Sequence, residues 1–185
     1  MDTLAVEVLI EPDRFEIVDF DAATIARCAA EVAGHVGLAD SPVICIRVDE
    51  QSMLSRTRLV GMDPIAIEAS SGAFEDKARP RRLSEANVVD ELARLLQRVA
   101  DRRDASFAGA PPDADLSPEQ TAAWDVHCCG RSARWQAVSF RARHHYDFCL
   151  ACGFSPDVDA AFDQLWEARK LGWAGVSALT PAPHR

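Results

Sequence analysis

The sequence lacks the glycine signatures that announce common chemistry. It has no G-x-S-x-G elbow, no phosphate-cradling glycine loop and no G-x-G-x-x-G. Each absence removes a class: elbow-type serine hydrolases, P-loop nucleotide hydrolases and dinucleotide-dependent oxidoreductases. No apolar run approaches the ~18 residues needed to span a bilayer. The start, Met1-Asp2-Thr3-Leu4, shows no basic region ahead of an apolar stretch, so a cytoplasmic protein is expected. On that expectation the six cysteines are reduced thiols rather than a disulfide framework. Lysine is scarce, two residues against eighteen arginines, which hints at a GC-rich bacterial coding sequence. There is no positive excess either: the net charge is −9, and eleven acids against three bases fall within residues 1–50. An acidic chain repels phosphate backbones, so nucleic acid is not an expected partner, and neither is a membrane.

What is present suits an α+β protein of one domain, or of one domain with a helical extension, and nearly half the chain is hydrophobic. Leu4, Val6, Val8 and Ile10 alternate as in a strand, Pro12-Asp13 marks a turn, and Phe15–Val18 reads as a returning partner strand. Asp21 is a helix N-cap for a segment running to about Val36, with Gly37 as its stop. Val43–Val48, Met53–Val60 and Ile65–Ala69 are further strand candidates, and Ser70–Arg82 reads as a polar loop. Ser84 caps a helix to about Arg102, whose apolar stripe is Val88, Leu92, Leu95, Leu96 and Val99. The expected architecture is a mixed sheet of four or five strands packed by two helices. It fills residues 1–104, followed by a linker over 105–116, a helical part over 117–176 and a tail over 177–185. Ser117-Pro118 and Ser155-Pro156 open two of the later helices with the same cap and first-turn proline.

Chemistry-bearing residues concentrate between Ala123 and Gly153. Cys149-x-x-Cys152-Gly153 has the form of half a zinc knuckle, and His127-Cys128-Cys129 is the nearest approach to a second half. Two readings compete. In the first, residues 131–152 form one helix buried on two sides, the thiols act as small hydrophobes, and His145 is a hydrogen-bonded core histidine. In the second, Cys128, Cys129, His145, Cys149 and Cys152, with His144 in reserve, hold zinc. Thioredoxin-like chemistry is disfavoured, because Cys149 and Cys152 precede a C-terminal stop, where the helix dipole opposes thiolate. Asp49-Glu50 ends a strand and is expected to be solvated.

The order helix, strands, polar loop, then the helix carrying Asp90-Glu91-Leu92-Ala93-Arg94 resembles a minimal zincin-type metallopeptidase core over residues 20–104. That family carries H-E-x-x-H on its active-site helix, with the glutamate activating water beside zinc. Only Glu91 matches; Asp90 and Arg94 stand where the histidines would be, and a guanidinium cannot ligate zinc. The resemblance therefore implies a scaffold without its metal or its peptidase activity. The plainer reading of this stretch is an amphipathic helix with a surface ion pair between Asp90 and Arg94.

With no complete catalytic set and no complete metal set, the leading expectation is a non-enzymatic protein. It would act through protein–protein contacts, with a protein partner or a homo-oligomer and no cofactor. Candidate interaction residues are Lys77, Arg79, Arg81 and Arg82 on a basic stretch, with Trp124 and Trp173. A zinc-binding protein or zinc-dependent enzyme using the 127–152 cluster is the alternative. A small-molecule binding protein with its pocket between sheet and helices is a third.

Overall fold

Alternation and capping account for most of the first half of the chain. The computed structural model describes residues 6–41 and 43–182, so the expected strand position Leu4 and tail residues 183–185 lie outside the described residues. The fold is α+β, 51% helical and 18% strand, with a mixed four-stranded sheet, a second two-stranded sheet and a helical C-terminal part. It divides into two compact units, Met1–Val99 and Ala100–Arg185. No helix among the described residues is long and apolar enough to cross a membrane.

In the first unit, β1 (Glu7–Glu11), β2 (Val43–Asp49), β3 (Thr57–Met62) and β4 (Ile65–Ser70) form one sheet in the order β1-β2-β4-β3. β1, β2 and β4 run parallel, and β3 closes the edge as an antiparallel hairpin partner of β4. The connection from β1 to β2 is α1 (Ala22–His35), capped by Asp21, whose carboxylate accepts from the Ala23 and Thr24 amides at 3.2 and 3.1 Å. Register places Val8, Ile44 and Ile65 in one row and Ile10, Ile46 and Ile67 in the next. Ile44, Ile46, Ile65 and Ile67 are fully buried, together with the stripes of α1 (Ile25, Cys28, Ala29, Val32) and α3 (Glu85–Arg103; Val88, Leu92, Leu96, Val99). Arg27 of α1 reaches Glu85 of α3 at 2.6 Å.

Two local expectations fail here. Phe15–Val18 is not a strand: the Glu50 carboxylate takes the amides of Glu16 and Ile17, each at 2.8 Å, and of Val18 at 3.4 Å, occupying the donors a ladder would use. That also corrects Glu50, which organises backbone rather than standing solvated. Ser70–Arg82 is not a polar loop. It folds into a single turn α2 (Ser71–Phe74) and a hairpin of β5 (Glu75–Asp76) with β6 (Arg79–Leu83), and Phe74 is fully buried beneath it. Asn87 fixes the hairpin by donating to the Glu75 carbonyl at 2.7 Å.

The second unit is built from α4 (Pro118–Ser132), α5 (Arg141–Cys152), α6 (Pro156–Glu167) and α7 (Trp173–Leu179). Ser117 and Gln120 form the expected capping box, and Ser155 caps α6. The single helix expected over 131–152 is broken: α4 ends at Ser132 and α5 begins at Arg141. The Arg134 guanidinium folds back to donate to the Gly130 carbonyl and, at 2.8 Å, to the Glu167 carbonyl, which satisfies the end of α4 and ties it to the end of α6. A Cβ at Gly130 would lie 2.3 Å from the Trp166 carbonyl oxygen, so glycine sets how closely α4 and α6 cross. α5 ends at Gly153, whose φ of 93° suits glycine. α6 stops at Glu167, and α7 is a separate element whose Val176 is fully buried.

Candidate functional site

The 90–94 segment of α3 is a closed polar knot. Glu91 Oε2 accepts from Thr57 Oγ1 of β3 at 2.7 Å and from Arg94 Nη2 at 2.9 Å, and Arg94 Nη2 also reaches Thr57 Oγ1 at 2.6 Å. Asp90 is buried, and the side chains of Glu91 and Arg94 are almost so. The expected surface setting is thus corrected: Arg94 pairs with Glu91 at i,i+3, and Asp90, Glu91 and Arg94 lie largely inside the fold. The hydroxyl and the guanidinium both engage the same oxygen of Glu91, Oε2, and a fixed positive charge beside it repels a metal cation.

The cysteine and histidine residues of 127–152 do not converge on one point. Cys128 faces a buried node centred on Asp101. There Asp101 accepts from Arg131 Nη1 and Nη2 at 2.8 and 2.5 Å and from Trp124 Nε1 at 2.8 Å, with Cys128 Sγ at 3.6 Å. Cys129 is buried in the same hydrophobic core. His127 is the core histidine of this unit. Its Nδ1 donates to the Leu165 carbonyl and its Nε2 accepts from the Leu171 amide, both at 3.3 Å, which fixes a neutral ring. Burial pushes its pKa down to about 4. His144 is buried beside Trp166.

Two of the expected zinc ligands do meet, and a third residue joins them. His145 and Cys149 stand at i and i+4 on α5, so they share a face. Asp159 enters from the first turn of α6. His145 Nε2 lies 2.8 Å from Asp159 Oδ1 and 3.6 Å from Cys149 Sγ, and that sulfur lies 3.9 Å from the same oxygen. The three donor atoms fall within 4.8 Å of one another. Cys149 is buried, whereas the His145 and Asp159 side chains are 39% and 56% exposed, so the group forms a notch with a sulfur floor and a polar rim. Phe162 meets the His145 ring edge-on at 4.8 Å and sets its plane. His145 is therefore not the buried histidine that the helical projection suggests.

The connectivity decides what this group can do. A nucleophilic triad needs the base to contact the thiol through one ring nitrogen and the acid through the other. Here a single nitrogen, Nε2, faces both, so the three atoms converge instead of forming a relay. Burial first, and the Asp159 charge next, push the Cys149 thiol pKa up, and burial raises that of Cys152 to about 11. Neither sulfur is an activated thiolate. Asp159 had one legible sign: Ser155-Pro156 fixes where α6 starts, and residue 159 then lies in its first turn.

The proposed interaction residues divide. Lys77, Arg79, Arg81 and Arg82 lie on the exposed β5–β6 hairpin, where Arg79 pairs with Asp76 at 2.8 Å and Arg82 approaches Asp19 at 3.7 Å. Trp124 is fully buried, stacked on Phe107 at 5.0 Å, and is corrected to a core residue because Asp101 satisfies its indole N–H. Trp173 packs against that core, 5.3 Å from Trp124.

A surface with no counterpart in the expected set lies on the other side of the four-stranded sheet. Register aligns Leu9, Cys45 and Ala66 in one row, with Gly61 beyond them and Val60 bulged out beside it. Leu9 and Val60 are 49% and 50% exposed. The next row reads Glu11, Arg47, Glu68, Arg58 across all four strands. Its charges alternate and are joined at 3.1, 3.7 and 2.5 Å. The apolar row lines a shallow cavity of about 370 Å³.

Comparison of the chain with protein-family models, curated proteins and solved structures finds no match.

Proposed function

We propose that this is a non-enzymatic protein that works through protein–protein contacts, and that a second copy of the chain docks on the open face of its sheet. The observation that carries the reading is the pair of rows on that face. Parallel strands are ordinarily covered on both faces, whereas this mixed sheet, parallel over β1, β2 and β4, leaves Leu9 and, on the antiparallel edge strand, Val60 half exposed. The charged row is self-complementary. A two-fold axis parallel to the strands, between β2 and β4, lays β1 of one copy over β3 of the other. Glu11 then faces Arg58, Arg47 faces Glu68, and the apolar rows meet, which is an isologous contact. The zincin-like order of the first unit enters this reading only as a scaffold. Support for a non-catalytic role is the knot at Glu91, Arg94 and Thr57, which ties one oxygen of the zincin-like glutamate to a fixed guanidinium where a metal would have to sit.

The test is a charge exchange read by light scattering or sedimentation. Arg58→Glu sets acid against Glu11 of the second copy, and Glu11→Arg sets base against Arg58. Each variant alone is expected to dissociate at concentrations at least about tenfold higher than the unaltered chain. Mixed in equal amounts, the two restore both cross-pairs and dimerise. A chain that stays monomeric at high concentration, or a mixture no more associated than its components, overturns the reading.

A further inference from the structure

We infer that His145, Cys149 and Asp159 form a zinc site, closed on one side by the α5–α6 packing and open to solvent on the other. The donor set is one imidazole nitrogen, one sulfur and one carboxylate oxygen, drawn from two helices. Sulfur and imidazole disfavour magnesium and calcium, and the mixed set suits zinc. Three protein ligands leave a solvent-facing fourth position, where zinc can take a further ligand such as water.

The distances are already near those that tetrahedral zinc demands. Ordinary bond lengths place sulfur about 3.6 Å from either other ligand atom, and nitrogen about 3.4 Å from oxygen. The observed S···N separation is 3.6 Å and S···O is 3.9 Å. Only the N···O contact, 2.8 Å as a hydrogen bond, must open by about 0.6 Å. His145 and Asp159 are the two partly exposed members, so that movement falls on the side chains freest to make it. Cys149, the buried member, stays where α5 puts it, and the Phe162 ring holds the imidazole plane.

Binding displaces protons. Cys149 gives up its S–H proton to solvent as the Zn–S bond forms, and the Nε2 proton that bonds Asp159 leaves to solvent as well, with Nδ1 keeping or taking up the ring proton so that Nε2 offers its lone pair. Zinc replaces the Nε2···Oδ1 hydrogen bond with two bonds to itself. The thiolate and the Asp159 carboxylate together balance the two positive charges of the ion.

The probe is cobalt(II), titrated into the full-length, reduced, chelator-treated protein and then displaced by zinc. The expected result is one ion per chain with a near-ultraviolet thiolate-to-cobalt charge-transfer band. The band vanishes in Cys149→Ser. Asp159→Asn and His145→Gln keep the band but weaken affinity at least about tenfold. These two change partly exposed side chains, so they keep the test decisive should Cys149→Ser fold poorly. Absence of the band overturns the assignment. So does a band that survives Cys149→Ser, or one whose affinity ignores both Asp159→Asn and His145→Gln.

Discussion

His127 makes the second unit sensitive to mild acid, by an amount that follows from its environment. In the folded chain its pKa is pushed down to about 4 by burial, with Arg131 adding to the effect. Unfolded, it returns to about 6.5. The folded value lies below the unfolded one, so the unfolded chain takes up the proton first. The contribution is complete above about pH 6.5, declines below that value and is exhausted under about pH 4. Between about pH 7.5 and about pH 5 the loss amounts to about 2 kcal/mol, and the full difference corresponds to about 3.4 kcal/mol. The mechanism is specific. Nε2 accepts the Leu171 amide, and a proton there would set donor against donor in a dry site. The assay is urea unfolding followed by tryptophan fluorescence, because all four tryptophans, at 124, 135, 166 and 173, lie in the Ala100–Arg185 unit. His127→Gln has no titrating group at this position. It should be weaker at neutral pH, yet lose about 2 kcal/mol less than the unaltered chain on acidification to about pH 5. Equal losses in the two proteins would refute the reasoning.

Three other substitutions probe named contacts. Gly130→Ala forces a Cβ against the Trp166 carbonyl and should cost about 1–3 kcal/mol or more, read as a lower urea midpoint for the same unit. Asp101→Asn leaves the Arg131 guanidinium buried without its countercharge, and about 3–5 kcal/mol is expected from the same measurement. Glu91→Gln weakens the acceptor shared by Thr57 and Arg94 and should cost about 1–2 kcal/mol. The first unit holds no tryptophan, so that loss is read by hydrogen exchange over β3 and α3.

Capping was the most legible layer of this sequence. Asp21, Ser84, Ser117 and Ser155 each satisfy amides within three residues, so local order alone locates the helix starts. The alternating isoleucines of β2 and β4 were legible for the same reason, since a strand sorts its faces every second residue. What escaped depends on partners far along the chain. The break between α4 and α5 has no proline or glycine to mark it; it comes from Arg134, which donates to Glu167 33 residues away. Phe15–Val18 reads as a strand until Glu50 claims its amides. The His145 and Cys149 pair was visible as an i,i+4 spacing, whereas Asp159 joins it only once α5 and α6 are packed. The two rows on the open sheet face needed the register of four strands, and the bulge at Val60 adds an offset that no periodicity encodes.

Of the six thiols, Cys45 is the single one not buried, and it stands in the apolar row of the open face. The chain thus carries a native chemical handle on that face, with the other five sulfurs as a silent background. A maleimide dye would mark it first, and shielding by anything laid over the sheet would slow that reaction without touching the rest of the molecule.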